Sequence, residues 1–122
     1  MTDHYSLTNQ NIYQDLVRRV PVADNVIEYA VKLTTSTRPT SENAPDFIRQ
    51  SVSWGAGPRA SQYLILGAKA KAILEGRPTP NIEDIKNLAL PILKHRVLPS
   101  FNAEAEGLKV ENIILQLLDI IN

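Results

Sequence analysis

The residues of this chain whose types and spacing could do chemistry are concentrated in residues 53–61. Gly57 fits the N-cap of a helix and Pro58 fits its first position, because the N–H group that proline lacks has no intrahelical partner there. Arg59 would then lie in the first turn, where the helix dipole disfavours a cation by up to about 1 kcal/mol. A phosphate group bound there would remove that cost. The stretch therefore predicts an anion site, and a nucleotide phosphate is the natural candidate.

Arg59 also has an ordinary interpretation. Its side chain could lie along the surface, cover apolar area with its stem and pair with a nearby carboxylate. The local pattern alone favours this interpretation, because short motifs often mislead.

The wider sequence changes that balance. From about residue 6 to the end, blocks of the chain resemble, in order and spacing, the C-terminal region of MoxR-type AAA+ ATPases. These blocks are residues 19–22, 29–33, 37–38, 54–61, 68–70, 75–77, 88–96 and 103–107. Residues 34–43 depart from the pattern, and no role is carried over to them.

The resemblance implies a helical lid that packs over the nucleotide bound to a larger N-terminal ATPase core. It implies that Arg59 is the sensor 2 residue, a catalytic as well as a nucleotide-binding position, with Gly57 and Pro58 beside the nucleotide. Gly57 stands where the family often has serine, which alters the cap but not the arginine. The implied cofactor is ATP with Mg²⁺, held mainly by the core. The implied partners are that core, neighbouring subunits of a ring and von Willebrand factor A-type proteins, which such chaperone-like ATPases help to assemble or activate.

The chain lacks the phosphate-binding loop of an ATPase. None of its five glycines precedes a lysine followed by serine or threonine. Gly55-Ala56-Gly57 has no predicted strand before it and no further glycine at the distance that a dinucleotide-binding loop requires. We therefore expect the chain alone not to hydrolyse ATP and the parent protein to be an ATPase. We also expect Met1 not to be the parent's natural start.

Composition predicts one domain, residues 1–122, since 43% hydrophobic residues in 122 suffice for a single core. Thirteen basic and thirteen acidic residues balance, which argues against nucleic acid or a membrane surface as partner. The chain has no cysteine, and His4 and His95 are too far apart in sequence to suggest a metal site. Without a signal peptide or an apolar run of roughly 20 residues, we expect a cytoplasmic protein and no membrane insertion.

Apolar periodicity and caps predict an all-α bundle of about five helices of the AAA+ lid type. The first helix is capped by Thr8, with Ile12, Leu16 and Val20 on one face, and the second is capped by Asp24 and stops before Arg38. The third runs from Pro58 to Glu75 and is apolar on nearly every face between Tyr63 and Ala68, so we expect it to be the buried central helix. The fourth is capped by Asn81 and Asp84, runs to Arg96 and is kinked or split at Pro91, and the last begins at about Lys109. Residues 34–53 are predicted as a polar loop within the domain.

Several side chains keep two interpretations. Trp54 is either an anchor for the helix entry, which we favour, or part of the lining near the nucleotide. Tyr63, one turn after Arg59, could help to position it. Three apolar residues, Phe47, Ile48 and Val52, either complete the core of this domain or contact the ATPase core. We favour the core of this domain.

Two rival functions remain open. One is a free-standing helical module that binds a protein through residues 34–53 or an exposed stripe. The other is a nucleic-acid binder, for which Arg18, Arg19 and residues 94–96, otherwise cations that suit a helix C-terminus, would have to converge.

Overall fold

The computed structural model describes residues 15–121. Seven helices and one short antiparallel strand pair make up this part of the chain, which confirms the all-α prediction. The elements in chain order are α1 (residues 15–19), α2 (Asp24–Ser36), α3 (Asp46–Ser51), β1 (Val52–Trp54), α4 (Pro58–Leu74), α5 (Ile82–Leu93), β2 (Leu98–Pro99), α6 (Phe101–Ala105) and α7 (Val110–Ile120).

The core forms where α4 packs against α5 and α2, and α7 packs against α5 and α3. One stripe of α4, spaced by four residues, is buried: Ala60, Leu64, Ala68 and Ala72. Small side chains on this stripe let the neighbouring helices approach closely. Gly67 has the same role towards α5, since a Cβ there would lie 3.0 Å from Leu88.

The outer face of α4 is more exposed than the sequence predicts. The helix is central, since it packs against both α5 and α2, but it is not buried all round, because Tyr63, Leu66 and Leu74 are exposed. An unbroken apolar run looks the same in sequence whether its outer residues meet another element or solvent.

The predicted helix ends are largely confirmed. Gly57 is the N-cap of α4 with Pro58 at its first position, and Asn81 with Asp84 forms a complete capping box on α5. The N-cap of α2 is Ala23 rather than Asp24, which lies one position inside the helix. Pro91 does not split α5, which ends at Leu93 instead of Arg96.

In α1 the predicted apolar face is wrong: Val17 is buried, whereas Leu16 is 49% exposed. The helix ends before Val20, as expected. Thr8 and Ile12 lie outside the described residues.

The segment 34–53 is not a loop throughout. Its first residues end α2, residues 46–51 form α3, and Val52 begins β1. Ile48 and Val52 are buried and Phe47 packs against the core, so these apolar residues do seal this domain.

The sequence predicts neither α6 nor the strand pair, and β1 lies directly before Gly55, where no strand was expected. β1 and β2 pair antiparallel with Val52 opposite Pro99 and Trp54 opposite Leu98. Strands of three and two residues are too short to show an alternation of apolar and polar side chains in the sequence. Their pairing therefore becomes visible only in the structure. The Ser100 side chain caps α6, and its hydroxyl donates a hydrogen bond to the Gln50 carbonyl on α3. This bond ties the end of the strand pair to α3.

No helix within residues 15–121 is long and apolar enough to cross a membrane.

Candidate functional site

The loop that leads into α4 is held by the residues that follow α2. The Thr37 hydroxyl accepts a hydrogen bond from the Ala56 N–H at 3.0 Å and donates to the Thr34 carbonyl at 2.6 Å. Arg38 Nε donates to the Ala56 carbonyl at 2.7 Å. Both polar groups of the buried Ala56 backbone are therefore bound by adjacent residues, Thr37 and Arg38.

Gly55 makes this junction possible. A Cβ at this position would lie 2.6 Å from the Cα of Arg38, closer than real Cβ contacts allow. The absence of a side chain lets the loop pack directly on the backbone after α2. The Thr37–Arg38 and Gly55–Ala56 pairs thus form a rigid support for the first turn of α4.

Arg59 is exposed in that first turn, directly beyond the supported loop. Its side chain has no hydrogen bond or ion pair to any residue in the range 15–121. No acidic residue lies in the first turn, and Gly57 supplies no side-chain cap. Arg59 therefore stands free at the positive end of a 17-residue helix.

A groove lies beside this turn, with a volume of about 380 Å³. One wall comes from the residues after α2 and the other from β1 and the loop before α4. Its lining residues are Arg38, Pro39, Thr40, Ser53, Trp54, Gly55, Ala56, Gly57 and Pro58. Of the predicted site residues, Gly57 and Pro58 line the groove, and Arg59 follows them on the helix.

The favoured interpretation of Trp54, an anchor for the start of the helix, is wrong. Its side chain is 73% exposed, so it does not anchor the helix entry in the core. Instead it forms part of the groove wall.

Tyr63 lies beside a different arginine from the one predicted. The Arg96 guanidinium lies 4.8 Å from the centre of the Tyr63 ring, and Arg96 Nη1 donates to the Ile92 carbonyl at 2.7 Å. Arg96 therefore caps the C-terminal end of α5, in agreement with the structural interpretation of the basic run 94–96.

A buried carboxylate with cationic partners lies at the other end of α4. Asp84 accepts from both Arg77 Nη atoms at 2.8 Å and from Lys71 Nζ at 3.0 Å. The Arg77 hydrogen bonds, more than any other contact, hold the pKa of Asp84 well below its usual range, and the Asp84 contact raises the pKa of Arg77. Arg77 likewise lowers the pKa of Glu75.

This ion cluster is structural. Lys71 follows Arg59 by twelve positions on α4, about 18 Å along the helix axis, so the cluster lies far from the groove. It joins the end of α4 to the capped start of α5. Within residues 15–121, no three His, Cys, Asp or Glu side chains come together in a way that could hold a metal ion.

The sequence does not reveal the role of Thr37 and Arg38 at this site. They appeared only as the end of a block that resembles a known family. Their function depends on contacts across eighteen and nineteen positions, which no local pattern reveals.

Comparison with known proteins identifies the class. Residues 47–117 match the model of the AAA lid domain family, and the chain belongs to that family.

Relatives confirm the MoxR type. The chain is 26% identical over 113 residues to the chaperone MoxR1 of Mycobacterium tuberculosis, covering 88% of this chain and 30% of that protein. It is 30% identical over 105 residues to the uncharacterized protein YeaC of Bacillus subtilis, covering 86% and 30%. A crystal structure of a candidate ATPase from Cytophaga hutchinsonii superposes with a TM-score of 0.82 at 31% identity, over 88% of this chain and 33% of that one. The chain thus spans about a third of the length of these proteins.

Proposed function

We propose that this chain is the lid of a MoxR-type AAA+ ATPase and that it closes over ATP bound mainly by the ATPase core. The observation that carries the proposal is the state of Arg59. This side chain is exposed and unpaired among the described residues, on a helix start whose approach is fixed by buried hydrogen bonds. A cation held in that position without a protein partner suits an anionic ligand that arrives from outside the domain.

The proposed mechanism is phosphate-dependent closure. The planar guanidinium of Arg59 donates to oxygens of the outer phosphate, which links the lid to the nucleotide on the core. Gly57 leaves the helix start without a side-chain cap, so the phosphate has access to backbone N–H groups as well. Loss of the outer phosphate removes these contacts, and the lid then opens.

Catalysis belongs to the complete enzyme. The phosphate-binding loop and the acidic residue for Mg²⁺ are supplied by the core, which holds the ATP·Mg²⁺ complex. Arg59 contributes by stabilising charge on the outer phosphate during transfer.

The proposal extends to partners through the relatives. MoxR1 is named a chaperone. We propose for the parent of this chain a chaperone-like role in the cytoplasm, in a ring whose neighbouring subunits contact the lid, with von Willebrand factor A-type proteins among its partners.

The test compares ATP with ADP in the full-length protein, which on this proposal carries the core. Arg59→Ala should weaken ATP binding by roughly tenfold or more, the loss expected for a hydrogen bond to a charged group. ADP binding should change much less, because ADP lacks the outer phosphate. Arg59→Lys should also bind ATP more weakly, since a lysine lacks the planar fork of donors.

The matched control is Arg18→Ala, another exposed arginine without a partner among the described residues. It should bind both nucleotides as the wild type does. If Arg59→Ala and the wild type have the same ratio of ATP to ADP affinity, the proposed contact does not exist.

A second candidate function is favoured by the exposed apolar side chains of Leu66, Leu74 and Phe101. These could dock a protein, as in a helical interaction module without a nucleotide role. Partner binding that ignores both nucleotide and Arg59→Ala would support that function.

A further inference from the structure

Arg96 follows the end of α5, yet it lies at the same end of the helix pair as Arg59. At the far end, Lys71 of α4 donates to Asp84 at the start of α5. At the near end, the Arg96 guanidinium lies 4.8 Å from the centre of the Tyr63 ring on α4. The two helices therefore run antiparallel, and the chain returns to the start of α4 with Arg96.

Tyr63 links the two arginines. It lies four positions after Arg59, about 6 Å further along the helix axis and on the same face. Long side chains on an α-helix lean towards its N-terminus, which is the direction of the turn that carries Arg59. Arg59, Tyr63 and Arg96 are all exposed. They form one continuous surface at the start of α4.

Arg96 is held in place but has no acidic partner. Its Nη1 donates to the Ile92 carbonyl at 2.7 Å, and the Tyr63 ring supports the face of the guanidinium. None of the ion pairs formed within residues 15–121 includes Arg96 or Arg59. The remaining N–H groups of Arg96 are therefore left for a ligand.

The sequence keeps this surface free of negative charge. No aspartate or glutamate occurs in residues 47–74 or 85–103, which include the whole of α4 and most of α5. Two cations at the same end of a helix pair repel each other when no carboxylate lies between them. An anion bound by both would remove that repulsion, and an anion with more than one charge would do so best.

We propose that Arg96 is a second arginine of the phosphate site, so that Arg59 and Arg96 bind the outer phosphate of ATP together. This inference rests on the proposed function, to which it adds a residue. A terminal phosphate carries about two negative charges at neutral pH, which one arginine does not neutralise. Its oxygens can accept from two planar guanidinium groups at once. Tyr63 acts as the positioning residue, because its ring holds the second guanidinium.

The experiment measures the affinity of the full-length protein for a non-hydrolysable ATP analogue and for ADP by calorimetry. Arg96→Ala should weaken binding of the analogue roughly tenfold and binding of ADP much less, because ADP lacks the outer phosphate. Arg96→Lys keeps the charge but not the planar fork, so it should also weaken the analogue. The matched control is Lys94→Ala, which removes an exposed cation two positions earlier and should change neither affinity.

Tyr63 gives a second measurement that a purely structural role of Arg96 would not affect. Tyr63→Leu removes the ring and leaves both arginines, so it should weaken the analogue by a smaller factor, about threefold. Tyr63→Phe keeps the ring and should bind as the wild type does. Tyr63→Leu should have no further effect in the Arg96→Ala background, because the ring acts only through Arg96.

The outcomes that overturn the inference differ from those that overturn the proposed function. If Arg59→Ala lowers the ratio of analogue to ADP affinity but Arg96→Ala does not, Arg96 only caps α5 and the proposed function stands. Equal losses of both affinities in Arg96→Ala lead to the same conclusion, since they show no preference for the outer phosphate. If Arg59→Ala leaves the ratio unchanged, the proposed function itself is wrong.

Discussion

Arg38 Nε donates a 2.7 Å hydrogen bond to the carbonyl oxygen of Ala56, eighteen positions further along the chain. Ala56 is buried and Arg38 is half-buried, so this bond is partly shielded from water. It ties the end of α2 to the loop that leads to Arg59. The placement of the proposed phosphate contact therefore depends on residues that are remote in sequence.

The hydroxyl of Thr37 should contribute to stability through the same junction. Thr37→Val keeps the side-chain volume but leaves the buried Ala56 N–H without its partner, which should lower the free energy of unfolding by about 1–3 kcal/mol. Urea denaturation measures this loss. The exposed Thr40, at the edge of the same groove, gives the control Thr40→Val, with an expected change below about 0.5 kcal/mol. A Thr37→Val variant as stable as the wild type would show that the bond contributes nothing.

Gly55 should not tolerate even a methyl group. The Cβ of Gly55→Ala would overlap the backbone at Arg38, so the loop must shift at a cost of about 1–3 kcal/mol. At Gly57 a Cβ meets nothing within 4 Å, and φ is −80°. Gly57→Ala should therefore cost less than about 1 kcal/mol in the same denaturation experiment. Equal losses in the two variants would contradict the close approach at Gly55.

Asp84 should make stability depend on acid pH. Its pKa is lower in the folded state than in the unfolded chain, so its stabilising effect is complete above the ordinary aspartate value and is lost as pH falls below about 5. Asp84→Asn should cost about 3 kcal/mol at neutral pH, because it breaks the pairing with Arg77 and Lys71.

The free energies of unfolding of Asp84→Asn and wild type should draw closer by roughly 1 kcal/mol when both are measured near pH 3. The exposed neighbour Glu83 supplies the control, since Glu83→Gln removes only a surface carboxylate from the first turn of α5 and should cost less than about 1 kcal/mol at neutral pH. A gap that stays constant with pH would mean that Asp84 is not held ionised by its partners.

Arg59, by contrast, should contribute nothing to folding. Arg59→Ala removes a cation from the positive end of α4, so the free energy of unfolding should stay within about 0.5 kcal/mol of the wild type or rise slightly. Thermal denaturation measures the stability of the variant. Arg77→Ala is the comparison that should lower stability, because it removes two hydrogen bonds from the buried Asp84. A loss above about 1 kcal/mol in Arg59→Ala would favour the ordinary interpretation, in which the arginine packs on its own surface.

The sequence predicted well those features that local chemistry determines. Gly57 and Pro58 at the start of α4 and the Asn81–Asp84 capping box depend on residues within one helical turn. The apolar stripe of α7 is equally local, and its residues Ile113, Ile114 and Leu117 are buried.

The features that were missed or wrong depend on distant partners. Trp54 is exposed on a strand whose partner, residues 98–99, lies more than forty positions further along the chain. Hydrogen bonds from Thr37 and Arg38 to Ala56 join the end of α2 to the loop before α4. No periodic pattern in the sequence indicates such bonds. The family resemblance singled out Arg59 as a candidate, but the residues that surround it could not be predicted from the sequence.

The most direct test of the central claim is ATP turnover by the full-length protein, comparing wild type with Arg59→Ala and Arg18→Ala at matched folding and assembly. The account predicts a loss of at least roughly tenfold for Arg59→Ala and none for Arg18→Ala, since only the first lies at the lid's phosphate contact. Unchanged turnover in Arg59→Ala would contradict the account and return Arg59 to an ordinary surface residue.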